Sequence, residues 1–391
     1  MTGSTTPLHV GVNLLWLVPG VVGGTEEYTT RLLRALHAAR PPDLRLTLFA
    51  LTPFTEAHPD LAEAFATVAL DLDGRSRPQR VAAEATWLAH EARRLGVDLL
   101  HHAGGVVPPG PAIGRMASVL TVHDLQPLLV PENFSAARRR WIAMMLPRSA
   151  ARARVVLTPS DPSSASVVEH LHVPAERVVT VPHGVEPPPM VDPDRLDDVR
   201  RRYRLGGRTI LYPAITYPHK DHATLVRAFA QLAADRRDLT LVLTGGPGPA
   251  EGELAATVRA SGVGDQVRRT GRIPWSDLDA LFALATVVAV PSRFEGFGAP
   301  ALEAMAAGAP LVACDATALP WVVGDGGLLV PPGDVGAWTA ALAAVIDHPD
   351  EQARLAAAGR SRAATFSWER AAAALTDGYR LAATLVPSRR R

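Results

Sequence analysis

The stretch Thr286-Val287-Val288-Ala289-Val290-Pro291-Ser292-Arg293-Phe294-Glu295-Gly296-Phe297-Gly298-Ala299-Pro300-Ala301-Leu302-Glu303 decides how this chain folds. Its first five residues are a short apolar, β-branched run, the pattern of a strand buried on both faces of a parallel sheet. Pro291 ends that strand, and a loop carrying Gly296 and Gly298 follows. Pro300 suits the first turn of a helix through Ala301, Leu302, Met305 and Ala306, with Gly308 as its stop. Strand, glycine loop and helix start together make an anion site, because the first N–H groups of a helix lack partners and lie at the positive end of its dipole. Glu295 falls in the loop and Glu303 in the first turn. Read singly, Glu303 complements the helix dipole and Glu295 is a solvated loop acid. Read together, one carboxylate reaches a sugar at the loop and the other accepts from a ribose diol.

Working outward, strands alternate with helical stretches along the whole chain, which predicts a parallel α/β architecture. In the first half the predicted strands are Leu8–Leu15, Leu44–Ala50, Leu99–His101, Ser118–Val122, Val155–Thr158 and Val178–Val181. Pro182-His183-Gly184-Val185-Glu186-Pro187-Pro188-Pro189, extending to Pro193, is too proline-rich for a helix or central strand and reads as a stiff linker. The pattern restarts with Thr209–Tyr212, Leu239–Leu243, Val267–Thr270, Val287–Val290 and Leu311–Ala313. Two doubly wound halves, residues 1–186 and 187–365, are therefore expected to enclose a cleft, with ligands at the carboxyl ends of their strands.

Composition narrows the class. The chain has 391 residues, 47% hydrophobic and 20% charged, enough for two or three domains with ample core. A formal net charge of +1 gives no sign of nucleic-acid binding. The one cysteine, Cys314, excludes an internal disulfide framework and a Cys-rich zinc site, and its apolar neighbours mark it as a buried strand residue. The start Met1-Thr2-Gly3-Ser4 shows no basic segment ahead of an apolar run, and no apolar run is long enough to span a bilayer. A cytoplasmic enzyme is the expectation.

The candidate site residues follow strands. Lys220 is the only lysine among the forty basic residues. It lies in Tyr217-Pro218-His219-Lys220-Asp221, between a strand and a helix predicted over Ala223–Ala233. Its compact ammonium suits a point contact with a diphosphate, where arginine's fork suits planar bidentate pairing. After the first strand, Gly23 and Gly24 let backbone approach a ligand at a helix start, with Thr25 as predicted N-cap and Glu26 and Glu27 in the first turn. Thr121-Val122-His123-Asp124 places His123 at a strand end, able to hydrogen-bond a sugar hydroxyl or to be satisfied within its own loop. Thr244-Gly245-Gly246-Pro247-Gly248 fails the dinucleotide fingerprint because Glu251 stands at its third glycine, so it reads as a turn lining a pocket. Gly271-Arg272-Ile273-Pro274 could present backbone to a base edge.

Glu-Gly-Phe-Gly-Ala-Pro-Ala-Leu-Glu at 295–303, with its two glutamates, resembles the signature of retaining glycosyltransferases of the two-domain GT-B type, family 4. The likeness extends through Gly-Gly-Thr-Glu at 23–26, His-Asp at 123–124, Thr-Pro-Ser at 158–160, Val-Pro-His-Gly-Val at 181–185, Pro-His-Lys-Asp at 218–221 and Phe-Ser-Trp-Glu-Arg at 366–370. The resemblance implies that the second half binds a UDP- or GDP-linked hexose and the first half a small-molecule, glycan or lipid acceptor. It implies no cofactor and no metal. Donor contacts are implied for Gly23, Gly24, Lys220, Gly245, Arg272, Glu295, Gly296, Phe297, Gly298 and Glu303, and acceptor contacts for Glu26, His102, His123 and Asp124. His123, Lys220 and Glu295 are the implied catalytic residues, in a front-face reaction where the leaving diphosphate helps deprotonate the acceptor. Residues 366–391 are implied to return a helix to the first domain. One departure matters: positions where many members carry a clamp arginine hold Ala214 and His219, so either Lys220 carries more of the charge compensation alone or His219 assists when protonated.

Rival readings rest on thinner patterns. Asp71-Leu72-Asp73 matches the Asp-x-Asp of metal-dependent glycosyltransferases. A nicotinamide enzyme lacks its glycine fingerprint, and a non-catalytic sugar-nucleotide binder would retain Lys220 and Glu303. Arg138-Arg139-Arg140-Trp141 beside Ile142, Met144, Met145 and Leu146 fits either a basic membrane-facing surface or a core-facing helix with a charged edge.

Overall fold

The structure, a computed structural model, describes residues 6–21 and 23–385. The N-terminal Met1–Ser4 and the basic tail Arg389–Arg391 lie outside the described residues. The chain forms two compact units, one running to Gly184 and resuming at Ser367, the other spanning Val185–Phe366.

The first unit holds seven strands: β1 (Leu8–Asn13), β2 (Leu44–Leu51), β3 (Ala66–Leu70), β4 (Leu99–His102), β5 (Ala117–Thr121), β6 (Val155–Thr158) and β7 (Val178–Thr180). Their order is β3-β2-β1-β4-β5-β6-β7, and every neighbouring pair is parallel. The winding reverses between β1 and β4. In a sheet of this kind, that switch point opens a crevice at the carboxyl ends of the two strands. Asn13 and His102 are the last residues of those strands and are paired in register.

The second unit holds β8 (Arg208–Pro213), β9 (Leu239–Thr244), β10 (Val267–Gly271), β11 (Val287–Val290), β12 (Leu311–Cys314) and β13 (Leu328–Val330). Its parallel order is β10-β9-β8-β11-β12-β13. Here the switch point lies between β8 and β11, so the loops carrying Lys220 and Glu295 leave from adjacent strand ends. The core is largely aliphatic, with Ile210, Leu211, Leu241, Val288, Ala289 and Val312 all fully buried.

The sequence reading missed β3 and β13. β3 is a sheet-edge strand with no fully buried residue, so its alanines and threonine carry no strong apolar pattern. β13 is only three residues long, too short for a period to register. Pro193, placed in the linker, instead opens the helix Pro193–Tyr203 behind the Asp192 cap, where a missing N–H costs nothing. Residues 181–192 have no regular structure.

The last helix, Trp368–Thr384, belongs to the first unit. Ser367 caps it by accepting from Arg370 N. Its inner face, Trp368, Ala371, Ala372, Leu375, Tyr379 and Ala382, is buried in one cluster with Val10, Tyr28, Leu32 and Leu33. A polar chain locks it: His101 Nδ1 meets Tyr379 OH at 2.8 Å, and His101 Nε2 meets Thr121 Oγ1 at 2.7 Å. Both connections between units run side by side, with Val185 N donating to Phe366 O at 3.0 Å. The helix Ala136–Arg152 buries Met145, Leu146, Ser149 and Ala150, while Arg138, Arg139 and Arg140 are exposed, so it is a core-facing helix with a charged edge. Among the described residues, no helix is long and apolar enough to cross a membrane.

Candidate active site

In the second unit, Pro218–Lys220 forms a single 3-10 turn after β8. Tyr212, fully buried on β8, holds it by donating its hydroxyl to Lys220 O at 2.9 Å and meeting Ser292 Oγ at 3.0 Å. Arg293 N donates to His219 O at 2.8 Å, and Arg293 Nε donates to Asp221 Oδ2 at 2.6 Å. The turn after β8 is thus tied to the loop after β11 by backbone and by charge. Asp221 sits at φ 46° and caps the helix His222–Ala233 through Thr224 N, a role the sequence reading did not assign.

Lys220 Nζ donates to Glu295 Oε1 at 2.5 Å, with side chains only 15% and 12% exposed. Sequence gave these residues separate tasks, the lysine for a diphosphate and the glutamate for a sugar. The structure brings them together as one ion pair, so the clamp charge is already partnered. Glu295 is positioned from behind by its own N–H, which donates to Thr317 Oγ1 at 2.9 Å.

His219 lies beside Lys220 in the same turn. Burial, then the neighbouring Lys220, pushes its pKa down to about 4, so it is neutral near pH 7. It stacks on Tyr217 at 5.6 Å.

The helix Ala299–Ala306 begins at Gly298, whose φ of 100° favours glycine. A Cβ there would lie 2.6 Å from Leu319 Cδ2. Gly296 precedes this start and Glu303 occupies its second turn. Phe297, expected to touch the donor, is 4% exposed and packs edge-on against Trp321 and Phe366. It supports the loop from the core. Gly245 sits at φ 123°, and its N–H donates to Gly271 O at 2.9 Å. Arg272 is exposed and lies over Gly246. Glu251, which broke the dinucleotide pattern, accepts from Thr216 Oγ1 at 2.6 Å and pairs with Arg269 at 2.7 Å, and Thr216 Oγ1 in turn receives Gly248 N. That network shapes the 245–248 turn.

In the first unit, the helix Gly24–Ala39 starts two residues earlier than an N-cap at Thr25 would allow, with Gly23 at φ 64° as N-cap. A Cβ at Gly23 or Gly24 would meet no atom within 4 Å, so this backbone is approachable. Glu26 pairs with His58 Nε2 at 3.0 Å and accepts from Gly20 N at 2.8 Å. Asp124 accepts from Gln126 N at 2.9 Å, closing a turn.

His123 Nε2 donates to Ala103 O at 2.9 Å, and burial lowers its pKa, so the ring is neutral. It is therefore partly satisfied by the loop after β4, and only its Nδ1 side is left for a ligand. Tyr28 stands at its edge at 5.6 Å and stacks on His183 at 4.4 Å, while donating to Val181 O at 2.8 Å. Sequence saw Tyr28 only as part of an apolar helix face, because no local pattern reveals a partner 153 positions away. His102 is fully buried beside Asn13, and Asn13 also donates to Glu84.

Asp71 and Asp73 follow the edge strand β3, where Asp73 Oδ1 accepts from Arg75 N at 2.9 Å. Among the described residues, no group of three or more His, Cys, Asp or Glu is arranged to hold a metal ion.

Two doubly wound parallel sheets, each with glycine-bearing loops at its switch point, are the architecture of the GT-B fold. Among solved structures it matches a sucrose-phosphate synthase from Thermosynechococcus elongatus at TM-score 0.74 and 21% identity, covering 95% of this chain and 98% of that one. Anabaena HepE in complex with UDP and glucose matches at TM-score 0.71 and 22% identity, covering 97% and 99%. Residues 22–187 match the model for Glycosyltransferase Family 4, and residues 198–362 that for Glycosyl transferases group 1. An Escherichia coli O-antigen chain mannosyltransferase B is 30% identical over 370 residues, covering 92% of this chain and 96% of the relative. An MMP alpha-(1->4)-mannosyltransferase of Mycolicibacterium hassiacum is 36% identical over 249 residues, 62% of this chain and 58% of the relative. The chain belongs to glycosyltransferase family 4, group 1.

Proposed function

We propose that this glycosyltransferase moves a mannosyl group from GDP-mannose to a hydroxyl of a glycan or polyol acceptor, with retention of configuration and without a metal ion. The observation that carries the donor site is the Lys220–Glu295 pair at the β8–β11 switch point, beside the helix start at Gly298. The choice of mannose and GDP is supported by relatives named as mannosyltransferases, one of them GDP-mannose-dependent.

The chemistry follows charge. The bond between the anomeric carbon and the diphosphate oxygen breaks, and its electron pair stays on that oxygen. The acceptor hydroxyl oxygen bonds to the anomeric carbon from the same face, and its proton passes to the departing phosphate oxygen. Negative charge grows on the diphosphate, where the Lys220 ammonium and the positive end of the helix Ala299–Ala306 stabilise it; one preorganised donor of this kind is worth about 3 kcal/mol of barrier. Glu303, on that helix, takes the ribose diol. Glu295 shares Lys220 with the diphosphate and faces the sugar. Neutral His123 orients the reactants in the first unit.

Release of nucleoside diphosphate from a panel of UDP-, GDP-, ADP- and dTDP-sugars, each assayed without and then with chelator, tests this. GDP-mannose should turn over and Lys220→Ala should abolish it. Turnover of a UDP-sugar alone would overturn the donor, and loss of activity on adding chelator would overturn the metal-free chemistry.

A further inference from the structure

His123 Nε2 donates to Ala103 O at 2.9 Å, and a hydrogen bond at one ring nitrogen is a pivot about which the imidazole can still turn. The ring plane, and with it the direction of Nδ1, is set by what packs against the ring. Tyr28 meets it at 5.6 Å with the planes 88° apart, and Trp16 meets it at 6.4 Å with the planes 51° apart. The perpendicular arrangement is a preferred geometry of aromatic pairs, and tilting either ring weakens it. A small cavity lined by Tyr28, Thr29, His101, Thr121 and His123 adjoins the contact, so the imidazole has room to turn once Tyr28 is shortened.

Both aromatic neighbours are themselves fixed. Trp16 Nε1 donates to Asn13 O at 3.1 Å, and its ring lies against Gly104, where a Cβ would come within 2.4 Å of Trp16 Cγ. The Tyr28 hydroxyl donates to Val181 O at 2.8 Å, and Val181 N in turn donates to Thr158 O at 2.7 Å, at the end of β6. The Tyr28 ring stacks on His183 at 4.4 Å, with Trp368 of the last helix 6.3 Å away. Tyr28 thus stands where the segment after β7 holds it, not where its own helix alone would leave it. Leu32, Leu33 and Leu36 fill the rest of that helix face, so core packing by itself calls for another aliphatic residue and gives no reason for a phenol.

We propose that Tyr28 is a positioning residue for His123: anchored through its hydroxyl to Val181, it sets the plane of the imidazole and so the direction in which Nδ1 faces a reactant. Tyr28 itself touches no reacting atom and acts on the rate only through that ring. This rests on the reading that His123 orients the reactants, and it names the side chain that gives His123 its orientation.

The test is a double-variant cycle on the full chain. The rate is GDP release from GDP-mannose, or the equivalent release from whichever sugar nucleotide of the panel turns over. NMR of ¹⁵N-histidine-labelled protein is a second readout that needs no nucleotide. Tyr28→Leu should lower kcat roughly tenfold to a hundredfold, the scale of a misplaced reacting group, with KM for the donor unchanged. Tyr28→Phe keeps the ring and loses the anchor, so kcat should fall by up to about tenfold; this milder change carries the test where Tyr28→Leu does not fold. In both, the Nε2–H signal of His123, assigned by its absence from His123→Ala, should shift. In the His123→Ala background neither Tyr28 substitution should lower kcat further. Tyr379→Phe, which removes a hydroxyl from the same buried cluster, is the control for a purely structural loss, and its effect on kcat should be additive with His123→Ala. Tyr28 effects that persist in the His123→Ala background, or a His123 signal unmoved by both Tyr28 substitutions, overturn the proposal. Wild-type kcat in His123→Ala overturns the reading of His123 and the proposal with it, a result distinct from additivity.

Discussion

Removing the charge of Glu295 should make the protein bind GDP more tightly, because that carboxylate competes with the diphosphate for the one lysine. The pair is 2.5 Å apart and both side chains are largely shielded from water. Two unit charges about 4 Å apart interact by about 4 kcal/mol at the effective dielectric of a protein surface. Most of that is offset in Glu295→Gln, since the amide oxygen still accepts from Nζ. A net gain of about 1.4 kcal/mol is left to the diphosphate, which is about tenfold in Kd. Lys220→Ala removes the cation and should weaken GDP about tenfold to a hundredfold, the range for a charge-assisted hydrogen bond. The double variant should behave like Lys220→Ala, because Glu295 acts on GDP only through Lys220. Isothermal titration of GDP into the four proteins measures all of this. Weaker GDP binding by Glu295→Gln, or strict additivity in the double variant, would refute the reasoning.

Other consequences are as concrete. His101, His102 and His183, each with its pKa pushed to about 3 by burial, and His219 and His222, pushed to about 4, are neutral in the folded chain. The unfolded chain binds protons below the ordinary value near 6.5, so their contribution is full above it and is lost progressively as pH falls toward 3–4. Each fully buried ring costs about 1.4 kcal/mol by one unit below that value, so urea midpoints should drop steeply between pH 6.5 and 5; a flat profile would contradict this. Glu84 has the opposite sign, stabilising below its ordinary range and losing that contribution as pH rises through 7. Tyr379→Phe strands His101 Nδ1 and should cost about 1–3 kcal/mol in chemical denaturation, loosening the last helix. Gly298→Ala meets both a φ of 100° and Leu319 Cδ2 at 2.6 Å. It should cost about 1–3 kcal/mol and weaken GDP binding, measured by melting and titration together.

The parts of this protein legible in its sequence are those set by local patterns. β-branched runs gave the buried strands, and glycines beside them gave the loops at strand ends. Lys220, Glu295 and Gly298 stood out because loop and helix-start chemistry is written over a few neighbouring residues. What escaped was decided by partners distant in the chain. Nothing near Phe297 shows that Trp321 and Phe366 enclose it, and nothing near Glu26 announces His58. The protonation states were equally hidden, since His219 looked like a spare cation until its burial beside Lys220 was known.

The most direct test is a crystal structure of the chain with GDP-mannose or GDP bound. The diphosphate should lie about 3 Å from Lys220 Nζ, before the helix start at Gly298, with the ribose on Glu303 and Glu295 partly released from the lysine. A nucleotide bound elsewhere, or Lys220 still paired with Glu295 and out of reach of phosphate, would contradict the account.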